Sequence, residues 1–557
     1  MSQGPIFCYH GNQPRNKYGS QPRNKYILQR FSLSIIIIII TLLTPTASCT
    51  NTSQTTLCSN TPYQHACQMA LLSSPHQVNP PDLFRLSVQF SRHQVLSLAR
   101  TLSHNLTLSH QPKSRAGAVG HVGNCVDLLD DSLDQLDSVL KAKNANDDTH
   151  TWLSAALTNQ ETCLEILHNF NFPGAGRRGV SVSAEAQNLV HSVRNSLALY
   201  VSGGKKKTVK GGSGGGGGRR LLYDGFPQWV GAAERRLMEA SAEEIAPDAV
   251  VAADGSGSYR SLAEALAAVA AVGGERKKIY MKAGTYRENI KVSKGQTNVL
   301  LYGDGKGKTV IVGDKSSSGG SSTFDSATFA VTGDGFMAQD ITFMNSAGPG
   351  KGQAVALVVA SDKSVFFRCS IVGYQDTLYT YSKRQFYRDS DIYGTVDFIC
   401  GNSAAIFQNC NIYSRKSGGD NFVTAQSRTD PNQNTGFSIH NCRITAESGA
   451  GHGSARTYLG RPWMEYSRTV VMQSYLDDVV PAEGWARWNG NFALGTLYYG
   501  EYMNSGPGAS TGGRVKWAGY HAALAPSEAQ KFTVANFISG NLWLPSTGVS
   551  FDPGLLP

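Results

Sequence analysis

The 557-residue sequence predicts two unlike folds in tandem, an all-α helical bundle followed by an all-β parallel β-helix. Three observations carry that reading. Apolar residues recur at spacings of three and four between about 58 and 200. From about 247 onward that period gives way to short β runs punctuated by Gly, Asn and Asp, apart from one helical stretch at 262–272. Within this second part an isoleucine-bearing motif returns at near-constant steps, the mark of a solenoid. The expected divisions are a leader at 1–48, the bundle at 49–202, a linker at 203–246 and the β-helix at 247–557.

Composition agrees with a globular protein, at 41% hydrophobic and 17% charged residues. The 59 glycines show no three-residue period, which excludes collagen, and the only long apolar run lies near the N-terminus, which excludes a polytopic membrane protein. The net charge of +10 is concentrated: the leader and residues 203–240 each carry an excess of five positive charges, while the bundle and the last 317 residues are close to neutral. A nucleic-acid groove is therefore not expected.

In the leader, five basic residues from Arg15 to Arg30 precede the apolar residues 31–43, and Thr46-Ala47-Ser48 supplies a small-residue cleavage site. Thirteen residues reach about 20 Å, short of a hydrocarbon core of about 30 Å, so the segment reads as a secretory signal rather than an anchor. The duplicated peptide at 13–18 and 21–26 has no apolar period and reads as an extension outside the fold. Ten cysteines in an exported chain imply disulfides, and no pair is spaced Cys-x-x-Cys, so zinc is not expected. Cys8 and Cys49 flank the leader and fall outside that framework; sequons stand at Asn51 and Asn105.

In the bundle, Val126, Leu129, Leu133, Leu136 and Leu140 trace one apolar stripe, and Leu153, Leu157, Leu164, Ile166 and Leu167 another. Asp127, Asp130, Asp131, Asp134 and Asp137 decorate the first helix; because they follow a helical rather than a loop spacing, they read as a solvated face and not a calcium site. The close pair Cys58 and Cys67, together with the Cys125 to Cys163 separation, resembles the plant invertase and pectin methylesterase inhibitor family, and the resemblance implies those two pairings.

The linker from Gly203 is rich in Gly and Lys and ends in Arg219-Arg220-Leu221-Leu222. Extended, exposed backbone is what a protease needs, and this tetrad resembles the Arg-x-Leu-Leu subtilase motif of plant proenzymes. A second candidate, Arg235-Arg236-Leu237-Met238, follows on a helical-looking stretch.

In the β part, Ile341, Ile371, Ile392, Ile412 and Ile444 head the repeats at steps of 30, 21, 20 and 32 residues, so each is expected to stack on the next inside the solenoid. Asp376 and Asp397 each lie five residues after one of these isoleucines, which places them side by side on successive coils about 4.8 Å apart. Two carboxylates that close raise the pKa of one, so one can be an acid while the other is a nucleophile. Most acids of a solenoid are turn residues, but these two sit in apolar contexts where an unpaired charge is costly.

Four ordered segments, Gln353-Ala-Val-Ala-Leu357, Gly373-Tyr-Gln375-Asp376-Thr-Leu-Tyr379, Gly394-Thr-Val-Asp397-Phe-Ile and Leu459-Gly-Arg461-Pro-Trp463, resemble the signature motifs of plant pectin methylesterases, carbohydrate esterases on a right-handed β-helix. The likeness runs from about 247 to 540. It implies that Asp397 is the nucleophile on a galacturonate methyl ester and Asp376 the acid and then the base, with Gln353 and Gln375 donating to the oxyanion and Arg461 keeping Asp397 ionised. It implies Thr323, Tyr379, Trp463 and Trp485 as substrate-binding residues. No cofactor or metal is expected, and the expected setting is a secreted monomer of the cell wall acting on methylesterified homogalacturonan, regulated by its pro-domain or by separate inhibitor proteins. Two other classes remain as alternatives: a β-helix lyase or hydrolase, which would need a calcium cluster and a basic proton acceptor, and a non-catalytic wall-binding or inhibitor protein.

Two cysteine expectations complete the reading. Cys369, Ser390, Cys410 and Cys442 each precede an aligned isoleucine by two residues, so a Cys410–Cys442 disulfide and an unpaired Cys369 are expected. Cys400, three residues past Asp397, stands where relatives usually carry phenylalanine.

Overall fold

Leucine and valine stripes at helical spacing build a helical domain in the computed structural model, with five helices among the described residues, α1 Gln64–Leu72, α2 Leu83–Leu108, α3 Ala116–Lys141, α4 Asp147–Asn169 and α5 Arg177–Lys205. The residues described are 57–74, 78–79, 82–108, 116–142, 147–169, 177–205, 246–269, 275–448 and 455–557. The leader, Cys8, Cys49, Asn51 and the processing tetrad at 219–222 lie outside them, as does the second candidate at 235–238. Among the described residues no helix is long and apolar enough to cross a membrane.

Leu98 and Leu102 of α2, Leu129 and Leu136 of α3, Leu153 and Leu157 of α4, and Leu189, Val193 and Leu197 of α5 share one buried cluster. Each such side chain stabilises the fold by about 1.5–3 kcal/mol. Cys58–Cys67 closes a short loop against α1, and Cys125–Cys163 ties α3 to α4.

From Ala249 to His521 every strand pairing is parallel, and the strands sort into sheets of 11, 7 and 8 strands, each coil contributing in turn to all three. This part of the chain is a right-handed parallel β-helix. Ile371 pairs with Ile392, Ile392 with Ile412 and Ile412 with Ile444, all fully buried. The first step differs from expectation: Phe343, not Ile341, stands opposite Ile371. An aromatic at that rung fills the same interior space, so the repeat is one of apolar volume rather than of isoleucine. Phe366, Tyr387 and Phe407 form a second inner ladder, with ring centroids 5.0 and 4.7 Å apart.

Sharp corners need left-handed backbone, and Asp340, Arg368, Asp389, Asn409, Asn441 and Gln473 supply it at φ between 49° and 57°, each directly after a strand of the 11-stranded sheet. That sheet's outer face is covered by the C-terminal turns, where Val534, Ile538, Trp543 and Leu544 pack on Tyr302, Val365, Phe386 and Ile406. The short helix Leu262–Ala268, capped by Ser261 accepting from the Glu264 N–H, buries Leu262, Ala265 and Leu266 against the first coil.

The cysteine row is present, but its bond is not. Cys410 and Cys442 remain buried thiols, the Cys410 N–H donating to Cys442 Sγ at 3.4 Å. Side chains of consecutive coils run inward in parallel, whereas a disulfide needs two Cβ atoms converging to about 3.8 Å. Cys369 is also a thiol, raised by burial to about 12.

Candidate functional site

The seven-stranded sheet carries the site. Its outward row, read across the register, is Lys291, Ala330, Val358, Tyr379, Cys400 and Ala425, while the neighbouring Leu378 and Ile399 point into the core. Asp376 and Asp397 stand two residues before two adjacent strands of this sheet, Leu378–Thr380 and Ile399–Gly401, in equivalent register. Both adopt left-handed backbone, at φ 56° and 53°. Such conformations are costly for non-glycine residues and concentrate at functional sites.

The two carboxyl groups are buried, at 9% and 5% exposure, in unlike surroundings. Arg461 grips Asp397 with a fork, Nε to Oδ1 at 2.7 Å and Nη2 to Oδ2 at 2.6 Å. The guanidinium is itself held between the rings of Phe422 and Trp488, 4.0 and 4.5 Å from their centroids. Burial pushes Asp376 well above the usual aspartate range, the Asp397 charge adds to the rise, and Arg461 opposes it. Asp397 is also raised, by burial first, with the hydrogen bonds and charge of Arg461 pulling the other way. Arg461 thus favours the ionised form of Asp397 while burial opposes it more strongly, and the two acids differ in how much further Asp376 is raised.

Gln353 and Gln375 lie beside each other at the site's rim, the Ala354 N–H donating to the Gln375 carbonyl at 3.2 Å. Among the described residues neither side-chain amide takes part in a hydrogen bond. Thr323, Tyr379 and Trp463 line one cavity of about 650 Å³, with the rings of Tyr379 and Trp463 6.1 Å apart.

Trp485 does not join them. It is 1% exposed, stacks on Tyr499 at 4.2 Å and donates its indole N–H to Glu501 at 3.1 Å, so it is a core residue. Trp488, 38% exposed over Arg461, is the aromatic the sequence reading missed. Two tryptophans three residues apart in an irregular segment carry no period that says which faces in. Trp485→Ala is therefore expected to cost about 3–5 kcal/mol of stability in a denaturation curve, with KM of the folded protein unchanged.

The helical domain is docked on this same face. The wall of the 650 Å³ cavity opposite Tyr379 is made by Asn124 and Leu128 of α3 and Glu165 and Ile166 of α4. Tyr381 donates to Thr162 at 3.0 Å, Asn402 to Thr158 at 2.9 Å, Gln433 to the Ser154 carbonyl at 3.2 Å and Asn434 to Thr151 at 3.0 Å. The acidic edge of α3 is solvated as expected at Asp127, Asp130 and Asp134, and it also faces lysines of the β-helix: Lys291 meets Asp127 at 3.5 Å, Lys294 meets Asp130 and Asp134, and Lys383 meets Asp131 at 3.4 Å. Asp137 pairs within the bundle with Arg92. The signal that could have shown the docking is the buried row Thr151, Ser154 and Thr158 on α4, polar residues at helical spacing where a core face would be apolar.

A parallel β-helix with two buried acids of unlike environment on its open sheet, and a helical domain docked over it, defines an acid-dyad carbohydrate esterase with a built-in second domain. The pectinesterase family profile matches residues 248–541, and the plant invertase/pectin methylesterase inhibitor profile matches 52–199. The chain is 56% identical to a probable pectinesterase/pectinesterase inhibitor 35 of Arabidopsis thaliana, over 85% of this chain and 88% of that one. It is 50% identical to pectinesterase 2 of Citrus sinensis, over 73% and 76%. A solved pectin methylesterase from carrot aligns with a TM-score of 0.55 at 52% identity, covering 56% of this chain and 99% of that one. The chain belongs to the pectinesterase family.

Proposed function

We propose that the β-helix domain hydrolyses the methyl esters of galacturonate units in cell-wall homogalacturonan, releasing methanol and leaving free carboxylates. The observation that carries this reading is the acid pair, one member forked by Arg461 and the other raised further. An Asp397 oxygen attacks the ester carbonyl carbon, and the electron pair displaced onto the carbonyl oxygen meets the amide N–H groups of Gln353 and Gln375, a contribution of about 3–4 kcal/mol per donor. The proton of Asp376 passes to the departing methoxide, giving methanol. Asp376, now ionised, takes a proton from water, whose oxygen attacks the acyl-enzyme carbonyl; Asp397 leaves as carboxylate and both acids return to their starting states. The Arg461 guanidinium, already committed to Asp397, is not poised as the proton acceptor a lyase would need.

The test is methanol release from methylesterified homogalacturonan, with its pH profile. Turnover needs Asp397 ionised and Asp376 protonated. Since Asp397 is raised, the acid limb of kcat/KM is expected to lie above the ordinary aspartate value of 3.8, and since Asp376 is raised further, activity falls again only as pH passes that second, higher value. A profile flat through the acid range would remove the assignment.

The setting that fits this chemistry is the plant cell wall, reached by secretion with a signal at 1–48, as a monomer processed by a subtilase at Arg219–Leu222. In the full chain the docked α3 and α4 hold the cleft closed to a polymer, so the helical domain acts as a tethered inhibitor.

Cys400 bears on substrate affinity. It lies on the outward row beside Tyr379, and burial, then the charges of Asp376 and Asp397, push its thiol well up, so it stays protonated. A thiol offers less flat surface to a sugar ring than phenylalanine. Cys400→Phe in the freed β-helix domain is expected to lower KM several-fold with kcat little changed, measured on homogalacturonan.

A further inference from the structure

A second cavity, of about 260 Å³, lies at the seam between the two domains, away from the acid pair. Its walls come from α4, from the loop that carries Arg428 to Asn434, from Arg468, and from the C-terminal turns around Phe537 and Ser539. Three arginines line it, and they are not alike. Arg384 is neutralised by Asp362 at 2.6 Å and Asp148 at 2.5 Å. Arg428 and Arg468 form no ion pair among the described residues; the nearest carboxylate in sequence, Asp430, is turned to Arg194 at 3.8 Å.

What holds these two is backbone. Arg428 donates Nε to the Gln433 carbonyl at 3.1 Å and Nη2 to the Pro431 carbonyl. Arg468 donates Nε to the Thr435 carbonyl at 2.7 Å and lies against the rings of Phe532 and Phe537. A guanidinium has five N–H donors, so Nη1 of Arg428 and both Nη atoms of Arg468 are left over on side chains that line the cavity. Carbonyl contacts orient a cation but do not cancel its charge. Burial presses both guanidinium groups toward their neutral form, Arg428 to about 10 and Arg468 further, each made worse or only partly relieved by its neighbours: Arg428 repels Arg468, while Asp430 and Tyr466 favour the charge on Arg428. Arg428 is buried and Arg468 half-buried, and like charges so placed without counter-ions are destabilising.

We propose that this cavity is an oxyanion site, in which a small tetrahedral or carboxylate anion completes the hydrogen bonding of Arg428 and Arg468. Planar forks of this kind match carboxylate and phosphate oxygens in pairs. The chemistry fits two sources, an inorganic phosphate and a uronate carboxylate. Because Thr151 and His150 of α4 form part of the wall, an anion there removes positive charge from the seam on which the two domains meet.

The test is the thermal stability of the full chain in sodium phosphate, sodium galacturonate and sodium chloride at matched ionic strength, with Arg468→Met and Arg428→Gln alongside. In the natural chain at least one of the two oxyanions is expected to raise Tm by about 3 °C or more over chloride, and the one that does so identifies the source. Both variants are expected to lose that increment. Arg468→Met is expected to match or exceed the natural chain in chloride, because a half-buried charge without a counter-ion is gone; should it fail to fold, Arg428→Gln carries the comparison. The same Tm in all three salts, or an increment that survives in a folded variant, overturns the site.

Discussion

Asp397→Asn in the freed β-helix domain is expected to lower methanol release by about 10⁴-fold or more, to a rate set by the remaining groups acting on bound ester. The side chain keeps its shape, so the loss would come from chemistry: an amide nitrogen or oxygen is far less nucleophilic than a carboxylate oxygen, and no acyl-enzyme forms. Asp376→Asn should be less severe, about 10²–10⁴-fold, since it removes proton transfer but leaves the nucleophile, Arg461 and both glutamines in place. The ordering is the informative result. If Asp376→Asn were the more damaging of the two, the roles would be exchanged, and the fork from Arg461 would mark a held acid rather than a held nucleophile. Circular dichroism on both variants separates this from unfolding, which is a real concern for Asp397→Asn because it leaves a half-buried Arg461 without its anion.

The acid pair was legible in the sequence because solenoids translate sequence spacing into space. Five residues after Ile371 and five after Ile392 are the same place on consecutive coils, and the register of Leu378 with Ile399 keeps that relation. Where spacing carried no period, the sequence was mute. Trp485 and Trp488 share one irregular stretch, and only packing decides that the first lies on Tyr499 and the second over Arg461. The misplaced rung at Ile341 has a related cause: the left-handed corners at Asp340 and Arg368 are equivalent, which puts Ile341 in the row of Cys369, and Phe343 fills the volume that an isoleucine fills elsewhere. The lysines that meet the solvated acidic edge of α3 were hidden for a different reason. Five aspartates on one helix look the same whether water or lysine faces them, and Lys291, Lys294 and Lys383 lie more than 150 residues away.

That edge leads to the second large effect. Cutting the linker at Arg219–Leu222 alone is expected to leave methanol release within about threefold of the uncut chain, because the helical domain is held by its own contacts. Lys383, 2% exposed, is committed to both Asp131 and Asp334, and Arg384 to both Asp148 and Asp362. Glu161 hydrogen-bonds Thr429 and Arg194, which also approaches Asp430. Physical separation of the two fragments should then raise activity about a hundredfold or more.

The pH dependence of separation has a definite sign. Burial raises Glu161 against the pull of Arg194 and Thr429, and burial raises Glu165 where it faces Tyr379 across the cavity. A carboxyl whose pKa is higher in the docked state takes up protons on docking, so docking is strongest below its free value and weakens as pH climbs through the raised one. The cut complex should therefore be tightest below the free glutamate value of 4.5 and loosen as pH climbs above it, with Kd rising by up to about tenfold per pH unit for each such group until its raised value is passed. Glu161→Gln, which keeps the hydrogen bond to Thr429 without a charge, should flatten that slope. A complex that tightens as pH rises would show instead that the aspartate–lysine pairs on α3 govern docking.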